Sequence, residues 1–141
     1  GYAADITRTY VKGEPTKRQR DVHAAVETAH HRIIDLIAPM KSVQEYQNDV
    51  DTIMSEALKS VGLAHDEAGI RRYMPHAVSH GLGIDVHDSL GAPKYFKDGM
   101  VLTAEPGIYI PEEKIGVRIE DDILITSDGN ENLSARLSTG L

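Results

Sequence analysis

The grammar of this chain changes at Tyr73, and the change limits what it can fold into. Before that point apolar residues recur at helical spacing; after it, glycines punctuate short apolar runs. Two helix starts are explicit. Thr16-Lys17-Arg18-Gln19 is a capping box, with Thr16 as N-cap and Gln19 reaching back to it. Behind it Val22, Val26, Ala29, Ile33 and Leu36 fall on one stripe, and Pro39 terminates the helix. Ser42-Val43-Gln44-Glu45 is a second capping box. Val43, Tyr46, Val50, Ile53, Ala57, Leu58 and Val61 then predict an amphipathic helix that ends at Gly62. A shorter third helix is expected from Asp66 to Arg72.

Strands are expected on either side of these helices. Ala4 to Val11 is rich in β-branched and aromatic residues and stops at Gly13. Four more runs follow Tyr73: Met100 to Thr103, Gly107 to Ile110, Val117 to Glu120 and Asp122 to Thr126, with Ser127-Asp128-Gly129-Asn130 as a turn. Helices first and strands afterwards predict an α+β domain, with helices on one face of a curved antiparallel sheet. In the last two strands Val117, Ile119, Ile123 and Ile125 should face the core, and Arg118, Glu120 and Asp122 the other way. Asp121 and Asp122 fit a solvated strand face.

Composition narrows the partners. The 141 residues suit one domain with a real core. The net charge of -7 speaks against a nucleic-acid partner, which needs a basic face. With no cysteine, disulfides and thiolate metal sites are excluded. No apolar run reaches the length of a membrane span. The start, Gly1-Tyr2-Ala3-Ala4-Asp5, lacks an initiator Met and has neither the basic start nor the apolar core of a signal peptide. Together these favour a cytoplasmic setting, with neither nucleic acid nor membrane as partner.

The chemistry concentrates in three histidines and two glutamates. His76 and His80 stand four apart, His87 follows closely, and Glu105 and Glu120 come from two of the expected strands. Imidazole and carboxylate are ligands for divalent metals, and metal-assisted hydrolysis is the reaction class they suggest. His76 and His80 do not make the helical H-E-x-x-H motif, because Ala77 stands where its Glu is required. Gly81 and Gly83 point instead to strand or loop, where positions four apart also share a face. A single such histidine is most simply a hydrogen-bonded structural residue. Three together, beside glycines that let backbone approach a ligand, point to a site. Gly81-Leu82-Gly83 lacks the third glycine of a dinucleotide fingerprint and is set aside. Glu105 is held at a strand end by Pro106-Gly107. Asp5, unusual inside a strand, is explained either by pairing with Arg8 or Arg18 or by a metal.

Four segments in order resemble a known family. They are Asp5-Ile6-Thr7-Arg8-Thr9, the run from His76 through Ser79-His80 to His87-Asp88, the run from Gly99 through Glu105-Pro106-Gly107 to Tyr109, and Gly116-Val117-Arg118-Ile119-Glu120-Asp121-Asp122. They resemble the catalytic pita-bread domain of Xaa-Pro aminopeptidases and Xaa-Pro dipeptidases, over essentially all of residues 1–141. Ser79-His80 and the stretch Gly129 to Ser134 are more similar to aminopeptidase P.

The resemblance implies two divalent ions, manganese with cobalt or zinc as alternatives. It assigns Asp5, His80, Glu105 and Glu120 as ligands, and His76, His87 and Glu105 as catalytic groups. Arg118 and Tyr109 would brace them. The substrate would be a proline-containing peptide, and the parent protein a homo-oligomer.

There are departures. The family's first metal-binding Asp lies upstream of Asp5, and this sequence begins four residues before Asp5. One ligand would be absent, the second ion weakened, and the fold incomplete at the N-terminus. Gly81 stands where aminopeptidase P often has a Trp. A prolidase, or a non-catalytic pita-bread module that binds peptides or proteins, is the alternative.

Overall fold

The computed structural model describes residues 1–141. Three helices come first: α1 (Lys17–Leu36), α2 (Val43–Ser60) and α3 (Glu67–Tyr73). Thr16 caps α1 with the full reciprocal box. Ser42 caps α2 by accepting from the Glu45 N–H. The α2 C-terminus closes with the pair of bonds of a Schellman motif. Leu63 N–H donates to Leu58 O, Gly62 N–H donates to Lys59 O, and Gly62 sits at φ +74°. Asp66 caps α3, which runs one residue later at each end than the expected Asp66 to Arg72.

Five strands follow: β1 (Val101–Ala104), β2 (Gly107–Ile110), β3 (Ile115–Arg118), β4 (Asp121–Ile125) and β5 (Asn130–Asn132). They form an antiparallel three-stranded sheet, β1-β4-β5, and an antiparallel pair, β2-β3. The two sheets are halves of one long hairpin. β1 pairs Ala104 with Asp121, β2 pairs Gly107 with Arg118, and the register continues unchanged across the gap. Pro106, which has no N–H to give the ladder, lies in that gap. β5 was not expected, because Asn130-Glu131-Asn132 carries no apolar residue.

One expected strand fails as a ladder. Residues 4–11 meet the hairpin at a single bridge, Thr7 to Glu120. Beside it the Thr9 hydroxyl, not its backbone, bonds the Arg118 N–H and carbonyl. A side chain has taken the place of the next ladder rung.

The core lies between the helices and one face of the hairpin. Val22, Val26, Ala29 and Ile33 of α1 and Ile53, Met54 and Leu58 of α2 are buried with Leu102, Ala104, Ile108, Val117, Ile119, Ile123 and Ile125. Burying aliphatic side chains of this size stabilises by roughly 1.5–3 kcal/mol each. The opposite face of the hairpin is left to polar residues, and the site is there.

Candidate metal centre

Register brings the two glutamates together. Continuation of the hairpin pairing through the gap sets Glu105 across from Glu120 on the face away from the helices. Both are buried, at 8% and 1% exposure. Burial first, and the neighbouring Glu120 second, push the Glu105 carboxyl above its ordinary range.

A third segment aligns along β1. Glu105 N–H donates to Val78 O, Thr103 N–H to His80 O, and Leu82 N–H to Val101 O. Residues 78–82 thus lie extended beside β1, which turns the His80 ring onto the face of the glutamates. His80 Nδ1 is 2.9 Å from the Gly81 carbonyl, an acceptor only. In the neutral ring the proton is therefore on Nδ1, and Nε2 offers its lone pair. Nε2 lies 3.4 Å from Glu105 Oε1 and 3.5 Å from Asp5 Oδ2.

The donors gather as two triads that share His80. One is His80, Glu105 and Glu120; the other is Asp5, His80 and His87, each with donor atoms within 4.8 Å of one another. His87 is exposed, with its ring 4.4 Å from that of His80. This geometry places His87 within reach of an ion held by Asp5 and His80. The donor set fits a divalent cation: several carboxylates, one imidazole lone pair aimed among them, and a buried glutamate pair whose mutual repulsion a cation would relieve.

Two threonines orient the glutamates, and neither stood out in the sequence. Arg118 Nε donates to Thr7 Oγ1 at 3.1 Å, so the Thr7 proton goes to Glu120 Oε2 at 2.5 Å. Likewise His80 N–H donates to Thr103 Oγ1, which donates onward to Glu105 Oε1 at 3.3 Å. The available signal was Thr103-Ala104-Glu105, whose first and third residues share a strand face.

The other expected residues stand close by. His76 Nε2 is 2.8 Å from the Tyr109 hydroxyl, and its Nδ1 is 3.7 Å from Glu105 Oε2. Burial raises the Tyr109 phenol above its ordinary range, with Arg118 opposing. Arg118 is 3.6 Å from Glu120. A cavity of about 490 Å³ opens beside His76 and His80 and runs under α2 past Tyr46, Met74 and Phe96.

Three expectations change. Neither arginine pairs with Asp5: Arg8 bonds Asp121, and Arg18 bonds Glu113. Asp5 instead sends its N–H to the Asp122 carboxylate. Asp121 and Asp122 are not solvated; they are 1% and 5% exposed. Gly81 and Gly83 do not clear space for a ligand. A Cβ there would lie 2.4 Å from Asp88 O and 2.2 Å from Asp88 Oδ2, so they admit the chain's own 81–88 loop.

Asp121 is the most firmly held carboxylate. Burial alone would raise its pKa, but contacts from His30, Arg8 and Asn132 outweigh that and bring it down to about 2. Arg8 Nη2 and Asn132 Nδ2 donate at 2.6 and 2.8 Å. His30 Nε2 lies 3.2 Å away.

Comparison with known proteins agrees with this chemistry. Residues 1–127 match the model of metallopeptidase family M24. The chain is 38% identical to the Xaa-Pro aminopeptidase of Haemophilus influenzae, over 95% of its own length and 36% of the relative's. It is 38% identical to the Xaa-Pro dipeptidase of Pyrococcus furiosus, over 94% and 36%. Among solved structures, zinc-substituted E. coli aminopeptidase P in complex with product superposes with a TM-score of 0.84 at 40% identity, over 98% of this chain and 36% of that one. The chain thus spans about a third of the length of the proteins it matches.

Proposed function

This chain belongs to metallopeptidase family M24, and on that premise we propose that it is part of the catalytic domain of an Xaa-Pro aminopeptidase, a metal-dependent exopeptidase that releases the residue preceding proline. The observation that carries the reading is the buried Glu105–Glu120 pair with the His80 Nε2 lone pair beside it. The similarity to Xaa-Pro aminopeptidases and to an aminopeptidase P structure supports the substrate class. We assign residues 1–141 to the C-terminal part of one catalytic domain within a homo-oligomeric, cytoplasmic parent. No helix of the chain is long and apolar enough to cross a membrane.

Asp5, His80, Glu105 and Glu120 would hold two divalent ions, with manganese favoured by the carboxylate-rich set. When bound, such ions polarise the scissile carbonyl and make water more acidic. The remaining work falls to side chains of this chain. Glu105 takes the proton of the attacking water and returns it to the leaving nitrogen. His87, exposed at the mouth, donates to the carbonyl oxygen. His76, tied to Tyr109, positions the peptide. Arg118 acts through Thr7 to hold Glu120.

The test is calorimetric titration of the chain with manganese chloride, followed by an assay of manganese-loaded protein on a tripeptide with proline second. Micromolar binding that is lost in Glu120→Ala supports the reading; no binding by the native chain ends it. The dipeptidase reading keeps one specific support, the similarity to the Pyrococcus furiosus enzyme. Cleavage of Xaa-Pro dipeptides alone would select it.

A further inference from the structure

Arg8 is the neighbour of Thr7 and faces the rear of the site. All five of its N–H donors are used. Nη1 donates to Thr7 O at 2.9 Å and to Glu120 O at 2.8 Å. Nη2 donates to Asp121 Oδ1 at 2.6 Å and to Leu137 O at 3.1 Å, and Nε donates to Ser138 O at 2.9 Å. Its side chain is 8% exposed.

The two Nη1 acceptors belong to one backbone bridge. Thr7 and Glu120 exchange N–H to carbonyl bonds of 3.3 and 3.0 Å, and this is the only backbone pairing between the Asp5 segment and the hairpin. A single nitrogen of Arg8 therefore grips both carbonyls of the bridge that carries Asp5 on one side and Glu120 on the other. Asp121, itself held by Asn132 and approached by His30 of α1, fixes the guanidinium from behind. A lysine could reach one or two of these acceptors; only the planar fork serves five at once.

We propose that Arg8 is a positioning residue for the metal centre, locking the Asp5 segment against the Glu120 strand so that donors from both converge on His80. The inference rests on the metallopeptidase reading. Loss of a group that orients ligands typically costs 10–100-fold in metal affinity, and that is the expected effect of Arg8→Lys and Arg8→Gln on manganese binding.

The test compares the native chain with both variants in three measurements: manganese calorimetry, the visible spectrum with cobalt(II), and melting of the metal-free protein. Positioning predicts weaker manganese binding and an altered cobalt spectrum in a variant whose metal-free circular dichroism is native. Equal affinity and an unchanged spectrum in a folded variant overturn the proposal alone. If both variants unfold even with manganese present, Arg8 serves the fold as a whole and the proposal is overturned. A native chain that binds no manganese rejects the metallopeptidase reading, and this inference with it.

Discussion

Glu120 and Glu105 each take a hydrogen bond from a threonine whose own oxygen is occupied by a second donor. Each threonine thus relays a donor from elsewhere in the fold to a glutamate oxygen. Thr7→Val would remove the one hydrogen bond to Glu120 Oε2 at a position 1% exposed, leaving only the longer 3.6 Å approach of Arg118. The expected cost is about 1–3 kcal/mol of metal-free stability, with manganese affinity lowered about tenfold. Thr7→Ser should recover both. Urea denaturation and calorimetry of the three proteins check this, and a valine variant equal to native would remove the hydroxyl from the account. Neither threonine advertises the role in sequence, because the role depends on Glu120, Arg118 and His80 arriving from other elements. The histidines and glutamates were legible, since few environments other than a site gather them so densely.

At the scale of elements, local chemistry decides the helices and pairing decides the strands. The α1 box is reciprocal, whereas at α2 only the Ser42 half forms. The end of α2 depends on Gly62, which takes a left-handed conformation with open space around its missing Cβ. Gly62→Ala should thus meet no clash and cost only the left-handed conformation, about 1–2 kcal/mol. The check is a urea melt; a neutral result would mean that α2 ends equally well another way. Residues 4–11 show the opposite case. Their composition reads as strand, yet the segment makes one bridge and then hands its pairing to the Thr9 side chain. Propensity is a statement about what fits a pleated surface, and partners settle the rest.

Across the whole molecule, Asp121 joins more parts than any other carboxylate: the Asp5 segment through Arg8, α1 through His30, and β5 through Asn132. Its pKa in the fold is about 2 against an ordinary 3.8. A depressed carboxylate adds stability that is complete above the unfolded value and is lost as pH falls through the folded one. Asp121 should therefore contribute on the order of 2 kcal/mol near neutral pH, declining between about pH 4 and pH 2. Acid denaturation of native protein and Asp121→Asn measures it. Their stabilities should converge toward pH 2, and a constant gap across that range would contradict the assignment. Arg8 and Asp121 are separated by 113 positions, and no local pattern links them, which is why Asp121 and Asp122 read as solvated from sequence. The caps, the apolar stripes and the types of side chain at the site are local properties, and the amino-acid order alone was sufficient for them. The convergence of Asp5, His80, Glu105 and Glu120, and the burial of the acids behind them, came only with the tertiary structure. It is a matter of register: one hairpin pairing carried through a gap, and two further segments aligned along its edges, set distant residues on a common face.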